Sequence, residues 1–275
     1  NIASVERALH EIARRHESLR TRFPEIGGRP VQVIDPAEPR PLPLVDLSRL
    51  PASEQQDEVR RWIVEEMGRP IDLQTGPLIR ITLLRLAAEE HVAVVSTHHI
   101  IYDGWSMGVL LAELGTLYEA FEQGRPSPLA ELPIQYADFA AWQRERLQGE
   151  HLERLQGYWV KQLAGVPPLE LPTDHPRPAV RSTRGGALSV ELSRNTSEAL
   201  HDFCRREGVT PFMALLAALE VLLHRYSGQD DFAIGSPVAN RSRAETESLI
   251  GYFVNVVVLR SNLSGGPSFR EVLRR

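Results

Sequence analysis

Apolar residues recur along the first part of the chain at spacings that predict helices and strands. Helical spacing occurs over residues 4–19, 53–67, 107–121, 136–147 and 152–163. Runs rich in β-branched residues predict strands at 31–34, 78–86 and 91–95, and a short polar link predicts a hairpin between the last two. Ser4 is suited to cap the first helix, because its hydroxyl can accept a backbone N–H. The second strand of the hairpin leads towards the helix at 107–121.

The rest of the chain opens with a proline-rich stretch, residues 165–182, whose five prolines favour an extended and fairly stiff linker. After it the pattern predicts a strand at 186–192, helices at 196–207 and 212–226, a strand at 232–234, a loop at 235–241 and a strand at 251–259. Thr210 followed by Pro211 is a strong helix start. Asn255 lies in the last, nearly continuous apolar run and therefore needs hydrogen-bond partners, for which a structural role is the usual explanation.

Charged residues are concentrated at the end of the first predicted helix, at Arg15, Glu17, Arg20 and Arg22. Long charged side chains are rarely buried unless they are paired. On the residues alone, this run is interpreted as a solvated face.

Composition narrows the classes of protein that the chain can represent. Its 275 residues allow one large domain or two ordinary ones, and 42% hydrophobic with 24% charged residues is typical of a globular protein. A net charge of -5 without a basic stripe gives no attraction to nucleic acid or to an anionic membrane. The single cysteine, Cys204, excludes an internal disulfide and is expected to be a small core residue. No signal peptide or membrane-length apolar run occurs, so a reducing, cytoplasmic location is expected.

The candidate chemistry lies at the junction between the hairpin and the helix at 107–121, where His98, His99, Asp103 and Gly104 occur together. Three interpretations are open on these residues: a core histidine with a capping aspartate, a metal site, or one histidine that acts as a base or hydrogen-bond partner. Adjacent strand residues point to opposite faces, which disfavours a shared metal ion. No phosphate-binding glycine loop, paired-cysteine metal spacing or Gly-x-Ser-x-Gly turn is found in the sequence.

Four motifs occur in a fixed order along the chain. They are Arg-His-Glu-x-Leu-Arg-Thr-x-Phe at 15–23, His-His-x-x-x-Asp-Gly at 98–104, Tyr-x-Asp-Phe-Ala-x-Trp at 136–142 and Ile-Gly-x-Phe-Val-Asn at 250–255. With these motifs the chain resembles, over nearly its whole length, the condensation domains of non-ribosomal peptide synthetases. Trp105-Ser106 and the stretches 210–228 and 235–241 are also typical of that family.

The resemblance implies an α/β protein with the two-lobed, chloramphenicol-acetyltransferase-like fold. It implies an N-terminal lobe at 1–164 with the His-His-x-x-x-Asp-Gly motif, an inter-lobe linker at 165–182 and a partial C-terminal lobe at 183–275. The family's opening Ser-x-Ala-Gln-x-Arg element and its closing motifs are not in the sequence. We therefore expect a nearly complete N-terminal lobe and a truncated C-terminal lobe, and we expect the 275 residues alone to be poorly stable and inactive.

The resemblance also implies an acyltransferase activity and a set of site residues. The expected reaction joins an upstream carrier-bound aminoacyl or peptidyl thioester to the amine of a downstream carrier-bound aminoacyl thioester. His99, Asp103 and Gly104 are the expected catalytic residues: His99 as base or positioning group, Asp103 as a brace, and Gly104 as space for the acceptor arm. The supporting residues are expected to be His98, Arg20, Arg241, Asn255 and Trp105, with Arg241 the first candidate and Arg20 the second as partner of Asp103.

The expected partners are the two peptidyl carrier proteins, which bear phosphopantetheine, and an adjacent adenylation domain. The domain itself is expected to bind no cofactor or metal. Within the family, the paired histidines exclude a heterocyclisation domain, whereas an epimerisation domain stays open and would show solvent deuterium entering a bound residue. Outside it, a standalone acyltransferase would accept free coenzyme A thioesters. An inactive carrier-docking module is the non-enzyme alternative, and the intact motif disfavours it.

Overall fold

A computed structural model of the chain describes residues 1–180, 182 and 185–275. Its longer helices begin close to where the apolar spacing predicts them. The helices are α1 (Ile2–Arg15), α2 (Ala52–Gly68), α3 (Gly104–Glu122), α4 (Tyr136–Arg146), α5 (Gly149–Gln162), α6 (Arg194–Glu207), α7 (Pro211–Ser227), α8 (Ala244–Glu247) and α9 (Phe269–Arg274). Short 3-10 turns at Glu17–Arg20 and His99–Ile101 follow α1 and precede α3.

The strands form small sheets, one of which contains the predicted hairpin. They are β1 (Thr21–Arg22), β2 (Glu25–Ile26), β3 (Arg29–Pro30), β4 (Val33–Ile34), β5 (Leu44–Asp46), β6 (Ile79–Arg85), β7 (His91–Thr97), β8 (Asp231–Val238) and β9 (Asn255–Asn262). β6 and β7 run antiparallel, with Ile79 opposite Thr97, which confirms the hairpin. β5 lies parallel to β6, and β8 pairs with β9 in a separate sheet.

Contacts divide the chain into two compact units that do not follow chain order. The first consists of residues 1–152 and 238–255, and the second of residues 153–237 and 256–275. The stretch 238–255 therefore folds together with the N-terminal part of the chain. The predicted linker carries no helix or strand at residues 165–180 and 182, and Arg181 lies outside the described residues.

The core of the first unit forms where α1 packs along α3. Ala8 and Ile12 of α1 are buried against Leu110 and Leu117 of α3. Burying each of the isoleucine and leucine side chains contributes roughly 1.5–3 kcal/mol, so this face aligns the two helices. Asn1, and not Ser4, caps α1, since its side chain accepts from the Ala3 N–H.

The second unit is built around α6 and α7. Thr210 caps α7 by accepting the Met213 N–H at 3.2 Å, which confirms the predicted helix start. Cys204 of α6 is buried in the core, as expected. No single helix in the described part of the chain is long and apolar enough to cross a membrane; α6 and α7 together, bent by 102°, meet the same criterion of length and composition.

Two predicted strands differ in the structure. Residues 186–192 form no strand, and Leu188 and Val190 are 89% and 77% exposed, because alternation stabilises a strand only where a neighbour pairs with it. The run predicted as one strand at 251–259 becomes β9 only from Asn255 onwards. Asn255 is exposed at the start of that strand and not buried within it.

A buried ion cluster replaces the solvated face expected at the end of α1. Arg15 donates to the Glu113 carboxylate on α3 from Nε at 3.2 Å and from Nη2 at 3.0 Å, and to the Ala130 carbonyl from Nη1. His16 Nε2 lies 3.0 Å from the same carboxylate. Arg15 and His16 are almost fully buried, while Glu17 is half-buried. The expectation was wrong for Arg15 because a buried carboxylate on a neighbouring helix neutralises its charge.

Glu113→Gln should destabilise the chain by about 3–5 kcal/mol, because it removes the charge that compensates a buried arginine. Thermal unfolding followed by circular dichroism measures the effect. Glu119→Gln is the matched control, since Glu119 lies on the same helix and is 71% exposed. Equal midpoints for the two variants would contradict a structural role for the cluster.

Candidate functional site

The candidate residues lie where β7 passes through a tight turn into α3. His98 remains extended after the strand, and its Nδ1 accepts the Ile100 N–H at 3.1 Å. His99 opens the 3-10 turn, so the two histidines belong to different local structures. Asp103 then caps α3 and accepts the Ser106 N–H at 2.9 Å. His98 therefore shapes the turn, while His99 is exposed on it.

Asp103 is fully buried and each of its oxygens is used. Oδ1 accepts the Ser106 hydroxyl at 2.7 Å, and Oδ2 accepts the Phe253 N–H at 3.0 Å. Arg241 Nη2 donates to both oxygens, at 3.1 and 3.3 Å. The predicted partnership with Arg241 is present. Arg20, the second candidate, instead contacts the Asp35 carbonyl and Glu17.

Burial raises the pKa of Asp103, but several other interactions lower it, and their combined effect is larger than that of burial. Hydrogen bonds from the Ser106 hydroxyl and N–H, a bond from the Phe253 N–H and the charge of Arg241 favour the carboxylate. The net result is a pKa below the ordinary value for aspartate. Asp103 is therefore a charged anchor.

Arg241 connects Asp103 to the chain that follows it. Its side chain is 1% exposed; Nη1 donates to the carbonyls of Thr246 and, at 2.8 Å, Leu249. The guanidinium carbon lies 4.0 Å from the centroid of the Phe253 ring. A planar cation suits this position, because it can stack on an aromatic face while its edges donate hydrogen bonds.

Side chains of the first unit form hydrogen bonds with most of the backbone N–H and carbonyl groups of residues 246–253. His16 Nδ1 accepts the Ile250 N–H at 3.2 Å, and Ser18 donates to the Ile250 carbonyl at 2.7 Å. The other contacts join Ser106 Oγ to the Gly251 N–H, Tyr136 OH to the Tyr252 carbonyl and Trp105 Nε1 to the Glu247 carbonyl. These bonds explain why residues 251–254 form no strand, since side chains already satisfy the groups that a ladder would use.

Gly251 is required by close packing. A Cβ at this position would lie 2.3 Å from Tyr136 Cδ2, which is far inside van der Waals contact. The ring of Tyr136 also packs edge-on against Phe253, with centroids 5.1 Å apart. The glycine of the Ile-Gly-x-Phe motif thus allows the Tyr136 ring to pack directly against the backbone.

His99 is the candidate group that faces outwards from this anchored structure. Its Nδ1 lies 2.8 Å from the Tyr102 carbonyl. A carbonyl can only accept, so Nδ1 carries the proton of the neutral ring and Nε2 keeps the lone pair. Tyr252 packs edge-on against the imidazole, with centroids 5.8 Å apart. One hydrogen bond and one ring contact therefore set the orientation of His99.

The remaining predicted site residues, Gly104, Trp105 and Asn255, make fewer contacts than Asp103 and Arg241. Gly104 is the first residue of α3, without a left-handed backbone, and a Cβ there would meet open space. A bend does not require glycine at this position. Trp105 is 47% exposed and ties α3 to Glu247. Asn255 lines an open cleft beside Trp142.

Three residues that contribute to this structure, Ser106, Glu113 and Tyr252, were not among the predicted site residues. Ser106 stands three residues after the helix cap, a spacing that allows Asp103 to bond both its N–H and its hydroxyl. Glu113 lies between Ala112 and Leu114 in the helical run at 107–121, and an acid flanked by apolar residues is a signal for a buried charge. Tyr252 carries no such signal, because the motif leaves its position unspecified.

Comparisons with known proteins show the family to which the chain belongs. The condensation-domain family matches residues 1–275, and the chain belongs to that family. A linear gramicidin synthase from Brevibacillus parabrevis is 50% identical over 276 residues, covering 100% of this chain and 4% of that protein. A chondramide synthase from Chondromyces crocatus is 52% identical over 272 residues, covering 99% of this chain and 7% of that protein. The chain thus spans a small fraction of these relatives.

Solved structures share the fold and confirm the predicted class. The X-domain from teicoplanin biosynthesis matches with a TM-score of 0.88 at 32% identity, covering all of this chain and 61% of that one. The first condensation domain of the CDA synthetase matches at 0.80 and 25% identity, with 65% of its chain covered. The epimerization domain from the third module of tyrocidine synthetase B matches at 0.86 and 20% identity, with 62% covered, which shows a shared fold alone.

Asp103→Ala should destabilise the chain by about 3–5 kcal/mol, because it leaves Arg241 buried without its counter-charge. Denaturant unfolding measures the loss. Asp57→Ala is the control, since Asp57 is 81% exposed and its contact with Arg60 is long. A variant as stable as this control, with a rate defect alone, would instead favour a direct catalytic part for Asp103.

The stability difference between wild type and Asp103→Asn should depend on pH. The folded-state pKa of Asp103 lies below its unfolded value, which is about 3.9. The charged form therefore stabilises the fold above that unfolded value, and this contribution is lost as the pH falls through the folded-state pKa. Unfolding free energies measured from neutral pH downwards should converge in acid. A constant difference would show that Asp103 is not charged in the folded chain.

Proposed function

We propose that this chain is the condensation domain of a non-ribosomal peptide synthetase and forms an amide bond. Its donor is an aminoacyl or peptidyl thioester on an upstream carrier, and its acceptor is the amine of an aminoacyl thioester on a downstream carrier. The observation that carries the proposal is an exposed His99 whose Nδ1 is held by the Tyr102 carbonyl, in a chain that belongs to the condensation-domain family. The free lone pair on Nε2 suits a group that must receive or direct a proton.

In the proposed reaction the amine nitrogen attacks the thioester carbonyl carbon. The new C–N bond forms, the C–S bond breaks, and the proton lost by the amine ends on the departing thiol. His99 Nε2 either takes that proton on the way or orients the amine by a hydrogen bond. No covalent intermediate with the chain is needed, and the candidate site holds no cysteine: Cys204 is buried in the second unit.

Carrier-borne phosphopantetheine arms would deliver both substrates. Bringing two tethered reactants together in a reactive orientation can lower the barrier by roughly 7–11 kcal/mol, which exceeds the contribution of one base. Asp103 would act as a positioning residue, since its oxygens contact Ser106, Phe253 and Arg241 and no exposed group. An adjacent adenylation domain would load the acceptor carrier.

His99→Ala should lower amide formation by about 10²–10⁴-fold, the usual range for a general acid–base group. The measurement is mass spectrometry of the acceptor arm in the intact protein, with both carriers loaded. His201→Ala, an exposed histidine on α6, is the control for a general effect of removing an imidazole.

Other outcomes of this experiment would overturn the proposal. Unchanged transfer in His99→Ala would remove His99 from the reaction. Deuterium entering a bound residue in wild type, without transfer to the acceptor, would identify an epimerisation domain. Transfer from free coenzyme A thioesters would identify a standalone acyltransferase.

Gly104→Leu should block acceptor entry without unfolding the chain. The space beside Gly104 is open, so the new side chain fits the fold but occupies room that we assign to the acceptor arm. KM for the loaded acceptor carrier should rise while the thermal midpoint stays unchanged. Gly115→Leu is the control, because Gly115 lies on the same helix about three turns away and also faces open space. Equal KM values would contradict the assignment.

A further inference from the structure

The two adjacent histidines carry their ring protons on opposite nitrogens. The Ile100 N–H can only donate, so His98 Nδ1, which accepts it at 3.1 Å, keeps the lone pair, and the proton of the neutral ring lies on Nε2. The Tyr102 carbonyl can only accept, so the proton of His99 lies on Nδ1, 2.8 Å away. The main chain thus gives neighbouring imidazoles opposite tautomers, and His99 is the one whose Nε2 is unprotonated.

The hydrogen bond to Tyr102 is a weak restraint on His99 when it acts alone. His99 is exposed, so water can replace the Tyr102 carbonyl as the partner of Nδ1, and the net gain from the bond is small. An imidazole that rotates away from the carbonyl is free to adopt the Nε2–H form, in which the outward nitrogen has no lone pair. A base at this position therefore needs a second contact that keeps the ring in place.

Tyr252 supplies a second contact of this kind. Its ring and the imidazole of His99 have centroids 5.8 Å apart and planes inclined at 74°, an edge-to-face arrangement. This geometry is one that aromatic pairs prefer, because the positive edge of one ring meets the negative face of the other. The attraction depends on the angle between the rings as well as on their distance. The contact therefore resists rotation of the imidazole and not only its displacement.

The position of Tyr252 is set by its backbone. Its peptide groups and those of its neighbours are held by Ser106 Oγ, which accepts the Gly251 N–H at 3.1 Å, by Asp103 Oδ2, which accepts the Phe253 N–H at 3.0 Å, and by Tyr136 OH, which donates to the Tyr252 carbonyl at 2.8 Å. The side chain of Tyr252 remains 42% exposed, so burial in the core does not explain its place. A fixed backbone thus presents an exposed ring to His99.

We propose that Tyr252 is a positioning residue of the reaction: its ring keeps His99 in the Nδ1–H tautomer, with the Nε2 lone pair available. The inference rests on the proposed function for the reaction that His99 serves. The tautomer of His99 is a property of the chain itself and is measurable without turnover. Because the ring makes the contact, an aromatic residue without the hydroxyl should fulfil the same role.

Solid-state ¹⁵N NMR tests the tautomer directly, because protonated and unprotonated ring nitrogens have well separated shifts. The intact protein carries ¹⁵N-histidine in these 275 residues alone, introduced by segmental ligation, and the His99 signals are those that His99→Ala lacks. At about pH 8, above the ordinary titration range of histidine, wild type and Tyr252→Phe should show the Nδ1–H form, and Tyr252→Ala a mixture of both forms. His98 is the internal reference, since its partner, the Ile100 N–H, is not altered.

Amide formation by the same proteins, with both carriers loaded, gives the second readout. Tyr252→Ala should lower kcat by about 3–10-fold, the range expected for the loss of one aromatic pair, while KM for the loaded acceptor carrier stays unchanged. A ring that acts only on the orientation of His99 changes the reactive fraction of molecules and not the binding of the carrier. Tyr252→Phe should keep kcat within about twofold of wild type, because it keeps the ring.

Tyr226→Ala is the matched control, since Tyr226 is an exposed tyrosine on α7 in the second unit, and it should match wild type in both readouts. A lower kcat with an unchanged tautomer in Tyr252→Ala would assign the effect to a disturbance of the fold and overturn the proposal. A changed tautomer with an unchanged kcat would overturn it as well. Equal losses in Tyr252→Phe and Tyr252→Ala would transfer the role to the hydroxyl and overturn the role of the ring.

The two readouts also separate this inference from the proposed function. A tautomer change in Tyr252→Ala, in a protein whose wild type forms no amide, removes the proposed function alone. Amide formation by wild type, with neither tautomer nor kcat altered in Tyr252→Ala, removes this inference alone.

Discussion

The structure of the first unit depends on how the backbone of residues 246–253 is satisfied. In the described chain this stretch lies within no sheet, and most of its N–H and carbonyl groups find their partners among side chains. The side chains that bind it come from separate elements: His16 and Ser18 after α1, Asp103, Trp105 and Ser106 at the start of α3, Tyr136 on α4, and Arg241. A stretch distant in sequence is thereby tied to three helices at once.

This constraint explains why the motifs consist of polar residues in buried places. An unpaired buried backbone group costs about 1–3 kcal/mol, so each of these side chains is held to one geometry. Asp103 is the most constrained, because it caps α3, receives the Phe253 N–H and neutralises Arg241. Tyr252 is placed by the same bonds, since both neighbouring residues are tied down. Its ring then limits the rotation of His99, which is how a buried network controls an exposed imidazole.

Periodicity predicted the elements that bury a continuous apolar face, and it failed where pairing decides the outcome. α1, α3 and the β6–β7 hairpin follow from spacing alone, because each buries one side against a partner. Residues 186–192 alternate like a strand and form none. Arginine is usually a surface residue. Arg15 is buried because it forms an ion pair with Glu113 on a neighbouring helix.

The site was predictable to the extent that its residues belong to ordered motifs. The pairing of Asp103 with Arg241 follows from the resemblance, whereas the contact of His99 with Tyr252 depends on a position at which the motif sets no residue type. Arg241 also shows why an arginine, and no other cation, suits its position. One guanidinium reaches Asp103 and two carbonyls with its N–H edges while its face stacks on the Phe253 ring, whereas an ammonium is a compact point charge without such a face. The planar shape of the guanidinium, more than its charge, therefore allows Arg241 to bind the loop that carries Tyr252.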